Sequence, residues 1–140
     1  MKIRLPLIIT GCFILFFSLS CKKAIEKKEQ QLIMDAITNG VWLVEQYYEG
    51  ATNISSDFLN YEFRFYNNGT VTGTINTTVT NGTWSGDISN YSITAQFPTA
   101  GDPVKKLNGV WQITDSYVDY VEAEMTTTSG KNILHLRKKP

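Results

Sequence analysis

One histidine and two cysteines are all that 140 residues offer to metal or thiol chemistry. A zinc site draws on several Cys or His ligands at once, so no metal site is expected. His135 stands between Leu134 and Leu136 in strand alternation and faces away from both leucines. A nucleophile-and-base arrangement would need a serine held near it by an elbow or similar motif, and the sequence has none. Nor is there a glycine-rich phosphate cradle, because Gly69, Gly73 and Gly82 fall in strand and turn contexts. Carboxylates are scattered. Glu122 and Glu124 share one strand face, with Asp115 and Asp119 at the preceding turn. A glycosidase holds two carboxylates about 5–9.5 Å apart, but such a pair on a strand is more often a solvated face. The expectation is a protein with no enzymatic activity, cofactor or metal.

An excess of positive charge is also missing. Thirteen basic residues meet thirteen acidic ones, which leaves no electrostatic footprint for nucleic acid. No apolar run is long enough for a permanent membrane span, which needs about 20 residues. The longest, Leu5 to Leu19, is shorter and sits at the extreme N-terminus.

That run is the clearest feature present. Lys2 and Arg4 form a basic start, Leu5 to Leu19 an apolar middle, and Ser18-Leu19-Ser20 leads into Cys21. This is the layout of a secretion signal, and it resembles the leader of a bacterial lipoprotein. Either cysteine could be the acceptor. Ile9-Thr10-Gly11-Cys12 has the better local pattern, but cleavage there leaves a very short apolar core and strands Phe13 to Phe17 at the mature start. Cleavage before Cys21 keeps the whole apolar segment upstream and begins the mature chain with Cys21-Lys22-Lys23. Cys21 is therefore the expected lipid site, carrying a diacylglyceryl thioether and an acylated amine. An ordinary secreted protein with a free N-terminal cysteine is the alternative. Lys22 stands where an inner-membrane lipoprotein often has Asp, so the resemblance implies the outer membrane, facing the periplasm. Loss of Lys2 and Arg4 leaves 11 basic against 13 acidic residues, a net of −2. With a single cysteine left, stability must come from burial in one domain.

The mature chain has two textures. Lys22 to Asn39 is helix-like, with Ile25, Leu32, Ile33, Ala36 and Ile37 on one stripe and Lys27 to Gln31 opposite. Gly40 fits a helix stop. This segment, 21–39, is expected to be solvated near Cys21 and docked on the domain from about Leu32. From Gly40 onward Thr, Val, Tyr, Phe and Ile dominate, broken by turn dipeptides. Trp42, Val44 and Gln46 alternate with Val41, Leu43, Glu45 and Tyr47. Asn68-Gly69 marks a tight hairpin because both positions want positive φ, and Asn81-Gly82, Gly86-Asp87 and Ser129-Gly130 suggest further turns. Strands are expected near 42–47, 61–66, 70–78, 80–86, 90–97, 109–116, 118–127 and 131–138. The long connections are 49–58 and 98–108. About eight antiparallel strands in succession suit an all-β, closed up-and-down barrel over 40–140, which removes aggregation-prone edges. A two-sheet sandwich is the alternative.

Three features resemble the lipocalins. Gly40-Val41-Trp42 opens the first strand after a short helix, as the family's Gly-x-Trp signature does. Thr114-Asp115-Ser116-Tyr117, between the sixth and seventh expected strands, is similar to the family's Thr-Asp-Tyr turn with Ser116 inserted. Arg137 lies where the family packs an arginine across the first-strand tryptophan. The likeness covers about residues 40 to 138 and implies a barrel shorter than a typical lipocalin. Gly82-Thr83-Trp84 and Gly109-Val110-Trp111 echo the first motif at unequal intervals. Tyr47, Tyr48, Tyr61, Phe63, Phe65, Tyr66, Tyr91, Phe97, Tyr117 and Tyr120 exceed what a small core needs, so some must be exposed or line a cavity. The expectation is a monomeric, membrane-anchored barrel that binds a small apolar ligand in its interior. The alternative is an interaction module of an envelope assembly, with a protein partner.

Overall fold

In the computed structural model the described residues run from Ile14 to Pro140, with side chains described from Cys21. Most of the expected leader, including Cys12, therefore lies outside them. The chain divides into two compact units, Met1–Ile33 and Met34–Pro140. Helix α1, Ile14–Thr38, runs across both. In the first unit Cys21, Ile25 and Leu32 are exposed, so docking begins beyond Leu32. Among the described residues no helix is long and apolar enough to cross a membrane. In the second unit Ile37 is buried, and α1 ends where Asn39 N donates to Asp35 O and Gly40 takes φ +110°, the left-handed stop that glycine alone adopts cheaply.

The rest of the second unit is a closed antiparallel barrel of eight strands. They are β1 (Trp42–Glu49), β3 (Tyr61–Phe65), β4 (Thr70–Ile75), β5 (Thr78–Asp87), β6 (Ser92–Gln96), β7 (Gly109–Tyr117), β8 (Tyr120–Thr127) and β9 (Gly130–Lys138). Each pairs with the next, and β1 closes the ring on β9. A two-residue strand β2 (Thr52–Asn53) folds back on the end of β1. Two 3-10 turns, η1 (Ser55–Phe58) and η2 (Val104–Leu107), occupy the long connections. The expected up-and-down barrel is thus the observed one. Its seams are unequal: β1 and β9 share seven residue pairs in register, β1 and β3 only Trp42 with Phe63. Where β1 leaves β3, its backbone is satisfied by the loop instead. Ile54 N donates to Tyr47 O, and Tyr47 N donates to Ser55 Oγ.

Strand alternation is broken twice by bulges, one between Val44 and Gln46 and one between Ile113 and Asp115. A bulge inserts one residue and flips the faces beyond it. Trp42 is buried, but beyond Glu45 it is Tyr47, and not Gln46 from the same side of the expected alternation, that enters the core, with none of its surface exposed. Two turn assignments also change. Asn81-Gly82 lies inside β5, and the hairpin turns instead at Asn76-Thr77, with Asn76 at φ 52°. Gly82 is needed for a different reason. A Cβ there would lie 2.5 Å from Gln96 O and 2.7 Å from the Phe97 ring. Gly86-Asp87 ends β5 rather than forming the turn, and Asp87 accepts hydrogen bonds from the Asn90 backbone and side chain across it.

Candidate functional site

The interior is built from aromatic residues. Trp42, Trp84, Trp111, Phe63, Phe65, Phe97 and Tyr47 are buried together with Val71, Val121, Ala123 and Leu134. An indole N–H costs free energy when buried unpaired, and each of the three finds a carbonyl. Trp42 donates to Ile37 O at 2.8 Å, Trp84 to Tyr66 O at 2.9 Å and Trp111 to Leu107 O at 2.9 Å. The Gly-x-Trp echo therefore marks three points where an interior ring is tied to a covering segment. A cavity of ≈ 50 Å³ remains among Phe63, Phe65, Ile93, Ala95, Trp111 and Leu134, lined wholly by apolar side chains. Drug-sized ligands occupy about 300–1,000 Å³, and an engineered cavity of about 150 Å³ accepts benzene. The observed space is well below both.

The two barrel ends differ. Successive antiparallel strands place the turns 66–69, 88–91 and 118–119 at the end where β1 begins, which is also where α1 delivers the chain. We call this the near end. The connections 50–60, 76–77, 97–108 and 128–129 form the far end. At the far end Tyr47 locks four segments together. Its hydroxyl donates to Lys106 O at 2.8 Å and accepts from Asn132 Nδ2 at 3.3 Å. Its ring stacks on Phe58 at 5.2 Å and meets Trp111 edge-on at 5.8 Å. Burial pushes the Tyr47 phenol up to about 12, against the opposing hydrogen bond from Asn132. Lys106 also pairs with Glu49 and fastens η2 to β1. At the near end a Cβ on Gly86 would meet Met34 Sδ at 4.0 Å, so the last turns of α1 lie beside β5.

The near end corrects one expectation. The cation over the Trp42 indole is Lys138, 5.1 Å from the ring centre, not Arg137. Asn132, Leu134, Leu136 and Lys138 share the inward face of β9, which leaves Arg137 outside. There it lies 5.0 Å over the Tyr120 ring and makes a two-pronged pair with Glu45, at 2.8 and 3.2 Å. The Glu45 bond and, further out, Asp119 hold the Arg137 guanidinium above its ordinary range. Thr114–Tyr117 likewise forms the end of β7 rather than a turn, which is Val118-Asp119.

His135 faces outward as expected, opposite Glu122. Its Nε2 lies 3.5 Å from Glu122 Oε2, which also accepts from Tyr120 Oη at 3.1 Å. Burial and the Glu122 carboxylate raise the Tyr120 phenol. Glu124 pairs with Lys131 at 2.9 Å. The two candidate carboxylates are thus engaged separately, each by its own cross-strand partner. Among the described residues no group of His, Cys, Asp and Glu could hold a metal ion. The Tyr47 lock, Phe58 and Lys138 were not singled out from the sequence as a working set. The bulge at Glu45 hid the first, and loop composition hid the second.

Taken together, the molecule is a small closed up-and-down barrel with a packed interior, an architecture in keeping with a lipocalin-like barrel. The same fold is found in the crystal structure of a DUF4847 family protein from Bacteroides vulgatus ATCC 8482. That likeness has a TM-score of 0.56 and 14% sequence identity, and spans 77% of this chain and 99% of the other. At that identity it speaks to the fold alone. No protein-family model and no curated protein matches the chain.

Proposed function

We propose that this chain is a lipid-anchored, non-enzymatic module of the bacterial envelope, held by acylated Cys21 at the outer membrane and acting through the outside of its barrel. The observation that carries the reading is the interior packed with aromatic rings, where the cavity lined by Phe63, Phe65 and Trp111 holds ≈ 50 Å³. The leader layout and exposed Cys21 support the anchor, and the separately paired Glu122 and Glu124 support the absence of catalysis. Native mass spectrometry of protein purified from membranes tests it. The expected mass is the chain from Cys21 plus its covalent lipid. A further non-covalent apolar molecule retained in stoichiometric amount would contradict it. Photo-crosslinking from Gln46, exposed on the outer face of β1, is expected to capture a discrete envelope partner.

The wholly apolar cavity lining favours a second reading, a small apolar ligand inside the barrel. A ligand larger than a few heavy atoms must displace side chains, and Phe97 and Leu107 are the lining residues placed in the 97–108 connection. Ala95→Val would fill the space. Loss of lipophilic-probe uptake in a folded variant is the outcome this reading expects, and unchanged uptake would remove it.

A further inference from the structure

The described surface carries its exposed tyrosines in one place. Tyr66 is 42% exposed, Tyr91 63% and Tyr117 68%, with Val118 at 71%. They come from three different hairpins, β3–β4, β5–β6 and β7–β8, and the up-and-down topology brings all three turns to the near end. The far-end hairpins β4–β5 and β8–β9 turn on Asn76-Thr77 and Thr128-Ser129, with no aromatic residue.

Presentation of Tyr91 is not accidental slack. Its φ is 48°, a left-handed conformation that a bulky residue rarely holds. The strain is fixed from behind: Ile113 N donates to Tyr91 O at 2.8 Å, and Gln112 Nε2 donates to the same oxygen at 3.0 Å. A strained backbone that holds a large ring outward is an observation that points to use. A tyrosine is apolar along its ring and polar at its tip, which suits the headgroup layer of a bilayer.

We propose that the near end of the barrel, through Tyr66, Tyr91, Tyr117 and Val118, rests on the surface of the membrane that holds the lipid anchor. The chain itself argues for a lipid surface rather than a protein. The near end is where Gly40 and Trp42 enter the barrel from the segment that begins at Cys21. Attachment of the same chain to the bilayer through Cys21 raises the effective concentration of that rim there, so weak contacts suffice. The rim is not basic. Asp87, Asp115 and Asp119 offset Lys138 and Lys139, and Lys139 is paired with Glu62. Docking is therefore through ring insertion, works on zwitterionic lipid and is insensitive to salt.

The inference rests on Cys21 as the anchor, and its test keeps the two apart. Full-length protein processed in cells is placed in phosphatidylcholine vesicles, and mass analysis reports the lipid on Cys21. If Cys21 is unmodified, the anchor reading fails, and the rim is tested by coupling the Cys21 thiol to a maleimide lipid in the same vesicles. The readout is hydrogen–deuterium exchange. On vesicles, amides of 66–69, 88–91 and 117–119 are expected to exchange roughly tenfold more slowly than in detergent, at low and high salt alike, with no change at 76–77 or 128–129. The triple variant Tyr66→Ser, Tyr91→Ser, Tyr117→Ser loses the protection while keeping the Cys21 linkage and its core exchange pattern. Unprotected turns in the tethered protein would overturn the proposal. So would protection that appears only when other envelope proteins are added, which would assign the rim to a protein partner.

Discussion

The two ends of the barrel solve the problem of closure differently. The far end is shut by long connections, and what holds them is a buried polar lock: Tyr47, with Lys106 O and Asn132 on its hydroxyl and Phe58 on its ring. The near end is shut by short hairpins and the last turns of α1, with Trp42 tied to Ile37 O and covered by Lys138. Both ends bury aromatic residues, Tyr47 and Phe58 at the far end and Trp42, Phe65 and Trp84 at the near end, but only the near end also leaves three tyrosines outside. The difference teaches that the exposed tyrosines are additional to the packing that closes the barrel, so they can be altered separately from it.

The largest expected effect comes from breaking the far-end lock. Tyr47→Ala removes a fully buried ring and its hydrogen bonds, and denaturant unfolding is expected to show a loss of about 3–5 kcal/mol. Tyr47→Phe keeps the ring but strips a partner from Asn132 Nδ2 and Lys106 O, and about 1–3 kcal/mol should be lost.

The same residue gives a pH dependence with a definite sign. The folded phenol titrates at about 12 against 10.0 for the free side chain. Its stabilising share is therefore whole below pH 10 and lost as pH rises through 12, about 3 kcal/mol in all. Thermal unfolding of the wild type across that window should fall more steeply than that of Tyr47→Phe. Equal slopes would remove Tyr47 as the cause.

At the near end, Lys138→Ala should cost about 0.5–2 kcal/mol through the lost contact over Trp42, read by denaturant unfolding, and should red-shift the emission of the Trp42 indole it covers. Arg137→Ala, which loses an exposed ion pair with Glu45 and a contact over Tyr120, should cost about 1 kcal/mol and leave Trp42 emission unchanged; a Trp42 shift in Arg137→Ala alone would restore Arg137 to the role the lipocalin likeness gave it. Smallest of all, serine at Tyr66 or Tyr117 should leave stability within about 0.5 kcal/mol, which is what separates a working rim from a structural one.

Much of the barrel was legible because strand chemistry is local. Asn68-Gly69 does mark the β3–β4 hairpin, although positive φ falls on Gly69 alone, at 82°, and not on Asn68 as well. The inward run of Leu134 and Leu136 was readable from alternation. What was not legible arose from contacts distant in sequence. The bulge at Glu45 reversed the faces of Tyr47 and Gln46 with no local signal. Gly82 looked like a turn residue but is there because Phe97, from the following strand's end, presses on its backbone. Continuing the alternation of Leu134 and Leu136 one step further would have chosen Lys138 over Arg137. The tyrosine rim could not be read from any one window, because Tyr66, Tyr91 and Tyr117 come to the same end of the barrel only through topology.

The central claim is that this barrel works from its near rim and not from its interior. The most direct measurement places a polarity-sensitive fluorophore on single cysteines introduced at Asn90 and at Thr128, with Cys21 occupied by its lipid. In vesicles the Asn90 probe is expected to report a membrane-interface environment and the Thr128 probe bulk water. Two aqueous signals, or an interfacial signal at Thr128 alone, would contradict the account.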